Sequence, residues 1–530
     1  MHAFLRTRGA NPYGSGASSS GTCGARPLGR AVIFAVTMMV LASAAPAAAQ
    51  SCESLSSLKL ENATITMAQS VPAGAFTPPQ GGRGRGNPAQ FTDLPAFCRV
   101  AATLTPSPES DIRMELWLPA SGWNGKFQAT GNGGWNGNID VNALANGVRR
   151  GYATASTDTG HQGGGGPWMR NREKLIDYGH RAVHEMTVKG KAIAAAFYGR
   201  QAQFSYFVGC SAGGRQGLMA AQRYPDDFDG IVAGAPALNA TGRAVFAMYV
   251  AHNLHKNEGA YIPPTKYPAI HNAVLQACDT RDGVRDGVIE NPAQCSFDPK
   301  VLACSGTDSD SCLTPPQVEA ARKMYQPAVN TRTKQEIFPG LSYGSELGWA
   351  TFGAPQPFGI ATQMFQFMVF NDPKWDYRTL NFDEHMALVD KAEAGLINAR
   401  NPDLRKFAAA GGKLIQYHGW SDPQIPAASS TQYYQSVLDT MGGPGKVMDS
   451  YRLFMVPGMN HCGGGPGTTS FDMLAALEQW VEKKQAPQRI TASRIVDGKV
   501  ERTRPLCPYP QVATYKGSGS TDDAANFVCK

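Results

Sequence analysis

The spacing of apolar positions changes along this chain, and each change marks an element. Ile112–Leu118 alternates apolar and polar residues as a half-buried strand does, and 124–129 restarts a strand after a turn. Short apolar runs at 152–156, 204–208, 229–234, 413–417 and 451–456 predict five further strands. Helical spacing fills the intervals at 181–198, 215–223 and 471–484, the last with Phe471, Leu474, Leu477 and Val481 on one side. Strands alternating with helices predict an α/β fold. Between Ala237 and about Ala399 the alternation gives way to helices, proline-rich turns, four cysteines and many aromatic residues, which predicts an insertion into that fold.

The ends look different. Arginines at positions 6, 8, 26 and 30 precede the apolar run 31–42 and the small residues Ala47–Ala49, the pattern of a signal peptide over 1–49 with the mature chain starting at Gln50. The run is shorter than the ~20 residues that span a bilayer, so no membrane association is expected after cleavage. The stretch from Ser51 to Arg99 is poor in charge and holds Pro78–Gly86, a turn-rich surface loop.

A chain of 530 residues exceeds one compact core, which again predicts a large domain bearing an insertion. A net charge of +7 without long Lys/Arg runs describes a solvated surface, and no nucleic-acid partner is expected. Ten of the eleven cysteines lie beyond the leader, an even number that predicts disulfides in an exported, secreted or periplasmic protein. Closeness along the chain favours Cys278 with Cys295, Cys304 with Cys312, and Cys507 with Cys529.

The candidate chemistry centres on Gly209-Cys-Ser-Ala-Gly213, between an apolar strand and a helix. Glycines flanking a serine at this spacing permit the sharp strand-to-helix turn of a nucleophile elbow, which lifts Ser211 to the top of a sheet. A serine hydroxyl needs a base, and the base needs an orienting acid. Asp422 and His461 follow later strands in the order Ser, acid, His. His418 is a rival base, better suited to a structural hydrogen bond, and Asp158 with His161 precede the serine and suit a site edge. Four glycines in Thr130–Gly137 predict an oxyanion-hole loop, with Ala212 after the nucleophile as the second donor. Cys210 precedes the serine and Cys462 follows the histidine, so a bridge between them would hold Ser211 and His461 together. Asp279, Asp282 and Asp286, with two glycines among them, suit a hard cation, of which calcium fits best.

Gly209–Arg215, Phe228–Pro236, His461–Gly467 and Arg504–Pro510 together resemble the tannase and feruloyl esterase family of secreted serine esterases. The resemblance implies an α/β-hydrolase core over 50–237 and 400–530 with a lid domain over 238–399, and the triad Ser211, Asp422 and His461. It implies Gly131 as the first oxyanion donor. It also implies the Cys210–Cys462 bridge, the three pairs above, and Cys52 with Cys98. It implies structural calcium held by Asp279, Asp282 and Asp286 and by the carbonyls of Val284 and Val288. The activity it implies is hydrolysis of aromatic (hydroxycinnamic or gallic) esters; alternatives are hydrolysis of mono(hydroxyethyl) terephthalate, a reaction of one family member, and a non-catalytic binding protein. No Arg or Lys lies between Gln335 and Pro373, where that member holds its substrate carboxylate, so a neutral aromatic acyl group is expected.

Overall fold

The computed structural model describes residues 51–78, 88–256 and 258–530. The expected leader, the cleavage position and nearly all of the 78–86 loop lie outside these. Nine strands build one sheet: β1 (Ala63–Val71), β2 (Phe97–Leu104), β3 (Ile112–Pro119), β4 (Lys126–Thr130), β5 (Ala153–Thr157), β6 (Phe204–Cys210), β7 (Gly230–Gly234), β8 (Lys413–Gly419) and β9 (Tyr451–Val456). Their order is β1-β2-β3-β5-β4-β6-β7-β8-β9. The first three strands and the β3–β5 pairing are antiparallel. From β5 to β9 every pairing is parallel.

Period-two alternation sends neighbouring residues of each central strand to opposite faces. Phe207 and Ile231 pack toward α1 (Ala182–Tyr198) and α2 (Ala212–Arg223) in one cluster. Tyr206 and Val232 pack on the other face against Leu474, Leu477 and Trp480. A parallel sheet covered on both faces places the loops after its strands along one edge, where ligands of such folds bind.

Residues 235–412 connect β7 to β8 without adding a strand to this sheet. Their longest helix, α3 (Ala240–His255), puts Phe246 and Val250 into a second core with Trp349, Phe352 and Phe365. Neither β1 nor β2 is among the strands expected from the sequence; the mixed burial and polar ATITMAQSV sequence of β1 suit a sheet edge. The helix after the elbow starts at Ala212, three residues earlier than its apolar spacing indicates. Among the described residues no helix is long and apolar enough to cross a membrane.

Candidate active site

Ser211 sits between β6 and α2 at φ +63° and ψ −121°, a strained conformation for a residue with a side chain. Three backbone bonds hold it: its N–H donates to Gly234 O at 2.9 Å, and its carbonyl accepts from Arg215 N and Ala237 N, both at 3.0 Å. The turn closes so tightly that a Cβ on Gly209 would lie 2.6 Å from the carbonyl carbon of Gly213. Glycine is required there. The Ser211 side chain does not cap α2, so the N–H groups of its first turn, Ala212 included, remain available to an anion.

The glycine loop differs from expectation in one respect. Gly131 N–H donates to Val208 O at 3.0 Å and Asn132 N–H to Gln216 Oε1 at 3.0 Å. Both are spent. Gly131 is instead required by close approach, since its Cβ would lie 2.5 Å from the Cα of Gly213. The next N–H, that of Gly133, makes no hydrogen bond among the described residues. Spacing marked the loop, but only register shows which of its amides the sheet consumes.

Asp422 follows β8 and is fully buried. Its Oδ1 accepts from Gln424 N at 2.7 Å and Ile425 N at 2.9 Å. Its Oδ2 lies 2.7 Å from His461 Nδ1 and 3.1 Å from His418 Nε2. Burial alone would push this carboxyl up, but the hydrogen bonds of His418 and His461 outweigh it and hold the group well below the usual carboxylate range. With Nδ1 engaged, His461 has only Nε2 left for a proton transfer. The Cys210–Cys462 bridge, Cα to Cα 6.0 Å, joins the residue before Ser211 to the residue after His461 across 252 positions.

His418 is bound on both ring nitrogens. Tyr451 Oη donates to Gln416 Oε1 at 2.7 Å, so the Gln416 amide donates to Ser430 Oγ, also at 2.7 Å. Ser430 keeps its own hydrogen for His418 Nδ1 at 2.7 Å. The His418 Nε2–H then points at Asp422 and at Ile425 O. A base with no free lone pair cannot take a proton from a serine. His418 therefore acts as a donor to the acid, a role that the order of residues along the chain does not reveal.

Asp158 and His161 do not pair through their side chains. Asp158 Oδ1 accepts from Arg113 N and Gly160 N, both at 2.9 Å, whereas His161 Nε2 lies 2.8 Å from Trp135 O and its ring stacks on Trp168.

All five expected disulfides are formed: Cys52–Cys98, Cys210–Cys462, Cys278–Cys295, Cys304–Cys312 and Cys507–Cys529. The acidic loop folds on itself, Asp279 accepting from Asp286 N and Gly287 N, Asp282 from Val284 N, and Asp286 from Val288 N. The Asp286 Oδ2 also accepts from Arg504 at 2.6 Å and Arg502 at 3.2 Å. Burial, with the charges of Asp286 and Asp279 adding to it, raises Asp282 to about 6. The buried carbonyls of Val284 and Val288 accept no hydrogen bond among the described residues. One carboxyl disfavoured as an anion, that of Asp282, beside carbonyls without a hydrogen-bond partner suits a hard divalent cation. Five of the eight aromatic residues between Gly348 and Tyr377 are buried in the insertion's own core: Trp349, Phe352, Phe365, Trp375 and Tyr377.

The family profile for tannase and feruloyl esterase matches residues 98–530. An uncharacterised esterase of Xanthomonas campestris pv. campestris is 38% identical, with 96% of this chain and 95% of that one covered. A probable feruloyl esterase B-1 of Aspergillus oryzae is 34% identical over 90% of this chain and 92% of its own. The crystal structure of feruloyl esterase B from Aspergillus oryzae superposes with a TM-score of 0.84 at 33% identity, covering 90% of this chain and 99% of that one. Tannin acyl hydrolase from Aspergillus niger, at 22% identity and a TM-score of 0.73, covers 90% of this chain and 94% of its own and shares the fold.

Proposed function

This chain belongs to the tannase and feruloyl esterase family of carboxylic ester hydrolases, and on that premise we propose that it is an exported serine esterase of aromatic acids, hydroxycinnamic or gallic. The observation that supports it best is the 2.7 Å contact of His461 Nδ1 with Asp422, bridged through Cys462 to the residue before Ser211. In this reading His461 Nε2 takes the Ser211 proton as Oγ attacks the ester carbonyl. The carbonyl oxygen becomes an oxyanion beside the N–H groups of Ala212 and Gly133. The alcohol leaves with the proton from His461, and water then hydrolyses the acyl-enzyme by the same steps. Asp422 keeps His461 in the Nδ1–H tautomer and stabilises the imidazolium.

Asp279, Asp282 and Asp286, with the carbonyls of Val284 and Val288, would hold calcium, which bound there would neutralise the loop and tie it to Arg504 through Asp286. The names of the relatives support feruloyl esters, and the absence of Arg and Lys between Gln335 and Pro373 supports a neutral acyl group. The test is hydrolysis of methyl ferulate, methyl p-coumarate, methyl gallate and mono(hydroxyethyl) terephthalate by the purified protein. Turnover of none of the four overturns the reading, and fastest turnover of the terephthalate half-ester moves it to that activity.

A further inference from the structure

Five Arg and Lys side chains are buried among the described residues: Arg215, Arg243, Lys266, Arg452 and Arg504. Four are matched. Arg215 donates to the carbonyls of Gly179, Ile397 and Tyr178. Lys266 donates to Cys312 O and Gln317 Oε1, Arg452 to Met448 O and Pro487 O, and Arg504 to Asp286. Arg243 has no hydrogen bond or ion pair from its guanidinium to any described residue, and its Nε is buried without a partner. Its contact is the face of Phe358, 5.3 Å from the guanidinium carbon to the ring centroid.

A buried guanidinium nitrogen without a partner costs free energy that its neutral surroundings do not repay, whereas the two terminal nitrogens are not sealed from solvent and stay open to a ligand. Burial lowers Arg243 to about 10, which leaves it a cation at neutral pH. Its place is informative. It lies in the first turn of α3, directly after the segment whose Ala237 N–H holds the Ser211 carbonyl. It is close enough to Tyr178 and Asp422 to feel their charges, and Tyr178 donates to Gly134 O in the glycine loop. Phe358 precedes the short helix Gly359–Gln363, whose Ile360 carbonyl accepts from Trp135 of that same loop. The guanidinium thus stands among the elbow, the glycine loop and the insertion. Asp422 is not its partner, since that carboxylate is already satisfied by four donors.

We infer that Arg243 is a specificity residue of the candidate active site and takes a carboxylate carried by an aromatic ester substrate. A guanidinium presents a planar fork that matches a carboxylate with two parallel N–H bonds, and Phe358 supplies a flat apolar wall for an aryl ring. The cation absent from 335–373 is supplied by α3 instead. This inference rests on the serine esterase reading. The carboxylate belongs either to the acyl half, as in a terephthalate half-ester, or to the alcohol half, as in a caffeoyl ester of a hydroxy acid.

Two matched pairs test it: monomethyl against dimethyl terephthalate, and caffeoylquinate against its methyl ester, followed by caffeate release. In the wild-type protein at least one carboxylate-bearing member should exceed its neutral partner in kcat/KM, and the pair that shows this identifies the half. Arg243→Met should lower kcat/KM for that member by ~30-fold or more while changing the neutral partner less than about threefold. Arg243→Lys, which keeps charge and bulk, should fall between, and it serves if the methionine variant does not fold. Equal losses on both members, or no loss on either, overturn the inference while leaving the esterase reading standing. Wild-type turnover of neutral esters only overturns it as well. Inactivity on all four substrates and on methyl ferulate removes the esterase reading and this inference with it.

Discussion

Asp158 and Asp422 occupy similar places: each is a buried carboxylate in a loop at the carboxyl edge of the sheet, after β5 and β8, and each has a histidine candidate to serve. Their environments are opposite. Asp422 accepts four hydrogen bonds, two from imidazoles, and is held ionised. Asp158 accepts two backbone N–H bonds on one oxygen, and its burial, only partly offset by those bonds, pushes it up to about 7. Burial by itself therefore does not identify a catalytic acid. The number and kind of donors decide whether the buried group is an anion that can orient a base.

The sharpest test of the Asp422 side is the nucleophile it serves. Ser211→Ala should cut kcat by ~10³-fold or more with unchanged thermal unfolding, and activity within tenfold of wild type would sink the assignment. The comparison itself is broken or kept by a pair of isosteric changes. Asp422→Asn should lower kcat by ~10²–10⁴-fold, because the amide no longer fixes the His461 tautomer. Asp158→Asn should stay within about threefold. If the two variants lose activity equally, donor count is the wrong criterion.

Smaller effects follow from the covalent and ionic supports. Replacing Cys210 and Cys462 together by Ala should lower kcat about tenfold or more, if the bridge chiefly holds His461 beside the elbow. The stability loss should be on the order of 2–4 kcal/mol, read from denaturant unfolding. A full loss of folding with no selective loss of activity would show the bridge to be a general staple. In the acidic loop, chelation should lower Tm by about 5–10 °C and leave kcat nearly unchanged below the melting range. Protein purified without chelator and free of calcium would count against the site.

The positions of the strands from β3 onward and the elbow were legible because both rest on local signals: apolar runs, paired glycines and a serine between them. The bridge beside Ser211 was legible because cysteines flank both ends of the constellation. What sequence could not supply was long-range accounting. Gly131 looked like a donor until the pairing of β4 with β6 showed its N–H spent on Val208. His418 was set aside as a base, but its bond to Asp422 emerges only when Ser430 and Gln416 are placed behind it. The edge strand β1 escaped because half-exposed polar residues leave little period to detect.

The last test reads the same comparison through stability instead of rate. A carboxyl whose folded pKa lies above its unfolded value binds more protons when native, so its stabilising contribution is complete below the unfolded value and is lost as pH rises. For Asp158 that window runs from 3.8 to about 7. Asp422 has the opposite sign. Its folded pKa lies below 3.8, so its contribution is present above that value and is lost as pH falls through the folded pKa. Asp158→Asn keeps an oxygen to accept from Arg113 N and Gly160 N but removes the titration. Each pKa unit corresponds to about 1.4 kcal/mol, so the wild type should lose at most a few kcal/mol relative to this variant between about pH 4 and pH 7, with a flat difference above. Unfolding free energies of both proteins at intervals across that range check it. A difference that does not change with pH would mean that Asp158 is ionised in the folded protein, and that two backbone donors suffice where four were taken to be needed.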